Sequence, residues 1–249
     1  SKGFFFEKEL YSETNLSKIM HTIKLISKET VADGTMLFHF TKPTEFTYQA
    51  GQSLDISLVE PKETDAEGNT RAFSIVSSPQ EDFLAIATRM RDTAFKRTLR
   101  DMVPDTEIEV QGPFGSFFLH ENKDRPAVFL SGGIGITPFH SIIKDATERA
   151  LPHKLTLFYS NRRPEDAVFL EELQNLQKQN PNFTLVATMT DMKESAQTWE
   201  DEQGYIDETM LKRYIHEGTH PIYYLAGPPT MVTAMRGLLT KSGVSGDDI

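Results

Sequence analysis

Three glycines in four residues stand where an apolar run gives way to a helical stretch, in Phe129-Leu130-Ser131-Gly132-Gly133-Ile134-Gly135-Ile136-Thr137-Pro138. At a strand-to-helix junction, Gly132, Gly133 and Gly135 would let backbone N–H groups approach a phosphate or pyrophosphate closely. The helix start adds roughly half a positive charge. Thr137 is expected to cap that helix and Pro138 to sit in its first turn, where a missing N–H costs nothing. Tight turns also use glycine, so the cluster alone leaves nucleotide binding open against a plain turn. Its spacing is not G-x-G-x-x-G, which argues against an ordinary dinucleotide-dependent dehydrogenase.

Other segments carry similar double readings. The next apolar run ends Tyr159-Ser160-Asn161-Arg162-Arg163. Many dinucleotide sites place an acid there to bind the adenosine ribose. Here Ser160, Arg162 and Arg163 could hold a 2′-phosphate, which points to NADPH, or the arginines could be surface residues at a turn. Tyr223-Tyr224-Leu225-Ala226-Gly227-Pro228-Pro229-Thr230-Met231 reads either as a helix start or as one wall of a nicotinamide pocket. Arg71-Ala72-Phe73-Ser74 means little alone. Thr88 to Leu99 begins on a strand and turns into a short helix whose start could receive a second phosphate. Five of the twelve residues from 89 to 100 are basic: Arg89, Arg91, Lys96, Arg97 and Arg100. They form either a solvated face or a local cationic site.

Composition narrows the chemistry. The chain has 249 residues, enough for one large domain or two ordinary ones, and no cysteine. Disulfides, thiolate metal sites, cysteine nucleophiles and cysteine-ligated iron–sulfur clusters are excluded. The seven histidines show no metal-ligand spacing such as His-Glu-x-x-His. A net charge of −10 argues against nucleic-acid binding in general. No apolar run is long enough to span a bilayer, and Phe4-Phe5-Phe6 is followed at once by Glu7, Lys8 and Glu9, unlike a signal segment. The expectation is a cytoplasmic protein, with a removed leader left open.

The elements that must position these residues fall into two halves. Met20–Lys28, Thr35–Thr41, Ser53–Val59, Ala72–Val76, Phe83–Met90 and Glu107–Gln111 alternate apolar and polar residues, as short antiparallel strands do. They predict a closed or nearly closed β-barrel. Glu60–Thr70 reads as a hairpin loop, and Gln111-Gly112-Pro113-Phe114-Gly115 as a turn closing the barrel. From about residue 122, strands at Ala127–Leu130, Leu155–Tyr159, Phe183–Met189 and Ile222–Ala226 alternate with helices to Arg149 and at Pro164–Gln179, Asp207–His216 and Pro228–Lys241. That order predicts an α/β domain with a parallel sheet, binding ligands at the carboxyl ends of its strands. The expected domains are therefore 1–122, with 1–19 as an N-terminal lead, and 123–249.

Taken in order, Arg-x-Phe-Ser, Gly-Pro-Phe-Gly, Gly-Gly-Ile-Gly-Ile-Thr-Pro, Tyr-Ser-Asn-Arg and Gly-Pro-Pro-x-Met resemble the ferredoxin–NADP reductase superfamily over residues 20 to 249. The resemblance implies a flavin-binding barrel followed by an NAD(P)-binding domain. It implies that Arg71 pairs with the flavin phosphate and that Phe73 stacks on or flanks the isoalloxazine. Ser74 would hydrogen-bond near flavin N5, as the catalytic residue. Ala72, Thr88, Arg89 and Met90 would lie along the flavin. The helix start at Thr93, Ala94, Phe95 and Lys96 would hold a pyrophosphate, favouring FAD over FMN. Gly132, Gly133, Gly135 and Thr137 would hold NAD(P)H, with Gly227, Pro228 and Met231 bordering the nicotinamide.

The sequence departs from the family pattern in three places. Phe73 replaces a more usual tyrosine. Ala226 stands where a cysteine is common. The sequence ends at Ile249, short of an aromatic that covers the flavin in many relatives; a truncated or a naturally short terminus would leave that flavin face more open. The resemblance implies hydride transfer from NAD(P)H to FAD, then single electrons to a separate acceptor: a ferredoxin or flavodoxin-like protein, an oxygenase component or a small oxidant. An electron-transfer subunit of a larger complex and a non-enzymatic regulatory protein with the same fold are the alternatives.

Overall fold

The computed structural model describes residues 19–216 and 218–249. The N-terminal lead, Phe4-Phe5-Phe6 included, lies outside the described residues apart from Ile19. Six strands, β1 (Met20–Ala32), β2 (Thr35–Thr41), β3 (Ser53–Leu58), β4 (Thr70–Ser74), β5 (Phe83–Arg89) and β6 (Glu107–Phe114), form one antiparallel sheet. Its order is β4-β3-β6-β1-β2-β5. The sheet curls until its end strands, β4 and β5, approach one another. Helix α1 (Ala94–Asp101) follows β5 directly. Alternation does the folding: Ile23, Leu25, Phe38, Phe40, Leu54, Ile56, Ile108 and Val110 all point inward and are almost fully buried. Each such side chain contributes about 2 kcal/mol through removal from water.

The second sheet is parallel, with order β10-β9-β8-β7-β11. Its strands are β7 (Ala127–Gly132), β8 (Leu155–Asn161), β9 (Phe183–Met189), β10 (Glu202–Gln203) and β11 (Ile222–Ala226). Helices α2 (Ile136–Glu148) and α3 (Leu170–Gln179) cover one face, packing on Phe129, Leu157 and Tyr159. Helices α4 (Glu208–Tyr214) and α5 (Pro229–Lys241) cover the other, packing on Val128, Phe158 and Val186. β7 lies between β8 and β11, so the chain leaves it toward one side and returns on the other. The carboxyl ends of β7 and β11 therefore flank the switch point where such sheets bind ligands. No helix among the described residues is long and apolar enough to cross a membrane.

Helix α2 also joins the two halves. The core beneath it runs on into the barrel through Leu37, Val76, Ala85 and Ala87. Ser141 Oγ donates to the Ser77 carbonyl at 2.7 Å, and His140 Nδ1 lies 3.1 Å from the Val76 carbonyl. A Cβ on Gly51 (φ +98°) would meet the Phe117 carbonyl and the Ile142 side chain, so the β2–β3 loop lies directly on α2.

Two expectations need correction. Gln111-Gly112-Pro113-Phe114 is not a closing turn: β6 runs on to Phe114, whose register partner is Ser53. Pro164–Gln179 is not one helix. A short 3₁₀ turn at Pro164–Asp166 gives way to Phe169 at φ +61°, and α3 begins only at Leu170. A left-handed residue cannot continue an α-helix.

Candidate functional site

The glycine loop leaves β7, makes one 3₁₀ turn at Gly133–Gly135 and enters α2. Gly133 has φ +54°, a conformation that glycine adopts at little cost. The other glycines answer to packing. A Cβ on Gly135 would run into the Ala226 carbonyl and stand 2.6 Å from Gly227 N. A Cβ on Gly132 would strike Met231 Sδ and come within 3.2 Å of Pro228 Cδ. The turns after β7 and β11 thus interlock at backbone distance. Thr137 is not the N-cap that the sequence suggests. It lies inside the first turn of α2, where its hydroxyl donates to the Ile134 carbonyl at 3.1 Å.

Over these turns opens a cleft of about 880 Å³, in the range of cofactor sites. Gly132, Gly133 and Gly135 form its floor, and Gly227, Pro228, Thr230 and Met231 one wall. Ser160, Asn161 and Arg162, from the end of β8, line another side. The sequence reading missed Thr190, after β9, and Tyr205, which is 80% exposed at the rim. The barrel contributes Arg89 and Arg91. The lining contains three arginines and no carboxylate. Arg163 stands apart from it, its guanidinium held to Asp166 at 3.1 Å and to Asp33 at 3.2 Å. Arg162, with its side chain 66% exposed, keeps only a loose 3.9 Å contact with Asp166.

The barrel residues gather where β4 faces β5 and α1. Phe73 is buried and stacks on Phe95, with ring centroids 5.9 Å apart. Arg71 lies over the other part of that pair, 5.2 Å from the Phe95 centroid. Lys96 Nζ sits 4.6 Å above the Phe73 ring and donates to the buried Thr88 hydroxyl. Burial, with Arg71 and Arg91 nearby, pulls the Lys96 amine down to about 8. Thr93 caps α1 by accepting Lys96 N–H at 3.3 Å. Met90 packs against the barrel core and donates its N–H to the Gly34 carbonyl. Ala72 is exposed and Ser74 half-buried along the edge strand β4.

Arg71 is already engaged. Its Nη1 donates to the carbonyls of Glu67, Gly68 and Thr70 at 2.8, 3.1 and 2.8 Å. Its Nη2 pairs with Asp65 at 3.2 Å and Glu67 at 2.9 Å. The other oxygen of Asp65 accepts the N–H of Ala94, the first residue of α1, at 3.2 Å. One guanidinium nitrogen and a helix-start N–H therefore close on one carboxylate, a donor set that also suits a phosphate. The sequence signal for this arrangement was weak, because Glu60–Thr70 reads only as a charged hairpin loop. Of the basic cluster, Arg97 pairs with Glu63 and Asp92, and Arg100 with Asp101. Arg89 and Arg91 are the two that turn to the cleft.

Comparison with known proteins agrees with this layout. Residues 129–237 match the oxidoreductase NAD-binding domain. Over 246 residues the chain is 26% identical to the glycine betaine monooxygenase reductase subunit of Chromohalobacter salexigens, covering 98% of this chain and 66% of that protein. Over 153 residues it is 32% identical to one subunit of the Na(+)-translocating NADH-quinone reductase of Methylococcus capsulatus, covering 60% of this chain and 37% of that one. The chain thus spans about two thirds or less of these relatives. Among solved structures, the ferredoxin NADP+ reductase of Neisseria gonorrhoeae with bound FAD and NADP superposes with a TM-score of 0.74 at 21% identity, covering 90% of this chain and 92% of that one.

Proposed function

We propose that this chain, which has the fold of a solved ferredoxin NADP+ reductase and matches the oxidoreductase NAD-binding domain over residues 129–237, is a flavin-dependent NAD(P)H oxidoreductase of the ferredoxin–NADP reductase superfamily. The observation that carries the reading is the carboxylate-free cleft at the β7–β11 switch point, floored by glycines and faced by arginines from both halves of the chain. The residues at the barrel edge also fit a flavin. Arg71 and Ala94 N–H already grip an anion, and the Phe73–Phe95 pair offers an apolar platform beside them. FAD bound there would accept hydride from NAD(P)H and pass electrons on one at a time.

The chain's own residues would supply binding and alignment. Gly133 and the start of α2 would receive the nicotinamide nucleotide's pyrophosphate on backbone N–H groups, with Arg89 neutralising its charge. Gly227, Pro228 and Met231 would wall the nicotinamide, and Tyr205 at the rim would cover the adenine end. Ser160, Arg162 and Arg91 would accept a 2′-phosphate, which supports NADPH over NADH; Arg163 is committed to Asp166 and Asp33. Ser74, half-buried on the edge strand, is the side chain assigned to hydrogen-bond the reacting edge of the flavin.

These 249 residues hold no cysteine, so a cysteine-ligated iron–sulfur centre that took the electrons would lie outside them. A ferredoxin or flavodoxin-like carrier fits. Both relatives are subunits of larger systems by name, which favours an assembly partner. A cytoplasmic setting goes with this reading. The test is to add FAD to the purified chain, record its visible spectrum and titrate it anaerobically with NADH and NADPH. Bound flavin bleached by a nicotinamide is expected. No retained flavin and no nicotinamide oxidation would end the proposal.

A further inference from the structure

We propose that Asp65 is a tethered carboxylate that competes with the flavin phosphate for Arg71 and the start of α1, and so determines how tightly this chain holds flavin. The inference rests on the barrel edge being a flavin site and goes beyond it to a residue that no phosphate contact would require.

Three observations converge. Asp65 bridges the two donors of the cradle, Arg71 Nη2 and Ala94 N–H, each at 3.2 Å. Both are groups that an incoming phosphate would need. From Lys62 to Thr70, Asp65 is the one residue that is not exposed. The loop therefore reaches inward with a single side chain. Finally, the loop is fastened by charge: Glu63 takes Arg97 at 2.6 Å and Glu67 takes Arg71 at 2.9 Å. No apolar side chain from Lys62 to Thr70 anchors it in the cores. The carbonyls of Glu67, Gly68 and Thr70 add bonds from Arg71 Nη1; all of these holds are polar contacts that water or a phosphate can replace, so Asp65 can swing off the cradle while the barrel core stays packed.

A carboxylate carries one charge and two oxygens. The whole pyrophosphate of FAD and the phosphomonoester of FMN each carry more of both, and suit the same guanidinium and N–H. A ligand whose binding-competent state is only partly populated binds more weakly by that fraction. Removing the Asp65 charge should therefore strengthen binding of flavins that carry a phosphate and leave riboflavin unaffected.

The experiment measures flavin fluorescence quenching on titrating the full chain into FAD, FMN and riboflavin, for the wild type, Asp65→Asn and Asp65→Ala. Both variants are expected to bind FAD and FMN roughly tenfold more tightly, with riboflavin binding unchanged. Trypsin cleavage after Lys62 supplies a readout independent of the variants. FAD should accelerate cleavage in the wild type by freeing the loop, and riboflavin should not. Equal FAD affinity in all three proteins overturns the proposal while leaving the flavin site intact. So does weaker FAD binding in the variants, which would make Asp65 a residue that positions Arg71. Protection of Lys62 by FAD overturns it as well. No flavin binding by any of the three removes the site together with the inference.

Discussion

The Arg89 guanidinium, at the end of β5, stands 3.8 Å from where a Cβ would lie on Gly133, so a barrel cation faces the turn that begins the nucleotide loop. The sequence reading placed Arg89 along the flavin. Its place in the cleft lining is the reason the proposal above gives it to the nicotinamide nucleotide instead. Arg89→Ala should weaken NAD(P)H binding by about 2 kcal/mol, roughly 30-fold, as loss of a charge-assisted contact does. Flavin content should change little. Stopped-flow reduction at varied NAD(P)H, with flavin measured by absorbance, separates the two assignments.

Gly132 and Gly135 should respond unequally to alanine. On Gly135 the added carbon meets backbone, the Ala226 carbonyl and Gly227 N, which cannot step aside. On Gly132 it meets the flexible end of Met231. Gly135→Ala should cost about 1–3 kcal/mol of stability, seen as a clear drop in Tm. Gly132→Ala should keep most of its stability yet lose NAD(P)H affinity, because a displaced Met231 intrudes on the cleft.

Lys96 makes a pH-dependent prediction. Burial, followed by Arg71 and Arg91, lowers its amine to about 8 from the usual value of 10.5. Between these values the unfolded chain binds the proton that the folded chain has lost, so this group's unfavourable effect on stability fades as pH rises from 8 to 10.5. Lys96→Met keeps the aliphatic stem over Phe73 and removes the charge. Its Tm should exceed the wild type at pH 7, and the gap should narrow by pH 10.

At the junction of the halves, Glu172 should govern an acid limb. Burial raises its carboxyl, but His140 and Lys144 outweigh that and hold it at about 2. His140 Nε2 lies 3.0 Å from Glu172 Oε2, and Lys144 reaches both Glu172 and Glu81. A depressed carboxylate contributes stability above its unfolded value, lost as pH falls through the folded one. Wild-type stability should fall between pH 4.5 and 2, and Glu172→Gln should flatten that slope. Urea midpoints across this range provide the check.

Local pattern carried much of the fold. The limits of β2, β9 and β11 match the sequence reading, because each is a short run bounded by turn residues. The glycine loop announced its own strand–turn–helix setting. Features set by distant neighbours were harder to read. β10 has two residues and exists because Thr188 and Met189 pair with it. The break at Phe169 lies inside a helix-compatible stretch. Thr190 and Tyr205 join the cleft only through the register of a parallel sheet, which adjacent residues do not encode. Arg71 stands out in the sequence through its motif, whereas its partner Asp65 lies across a hairpin whose fold the motif does not specify.

Helix α2 begins at the glycine loop and rests along its length on Val76, Ser77 and the Gly51 turn of the other half. One rod thus fixes the spacing between the two proposed ligand sites, as a jig holds two workpieces. Large swings of one half about the other would tear this shared seam, so turnover in such a frame should be timed by molecules arriving and leaving rather than by jaws closing.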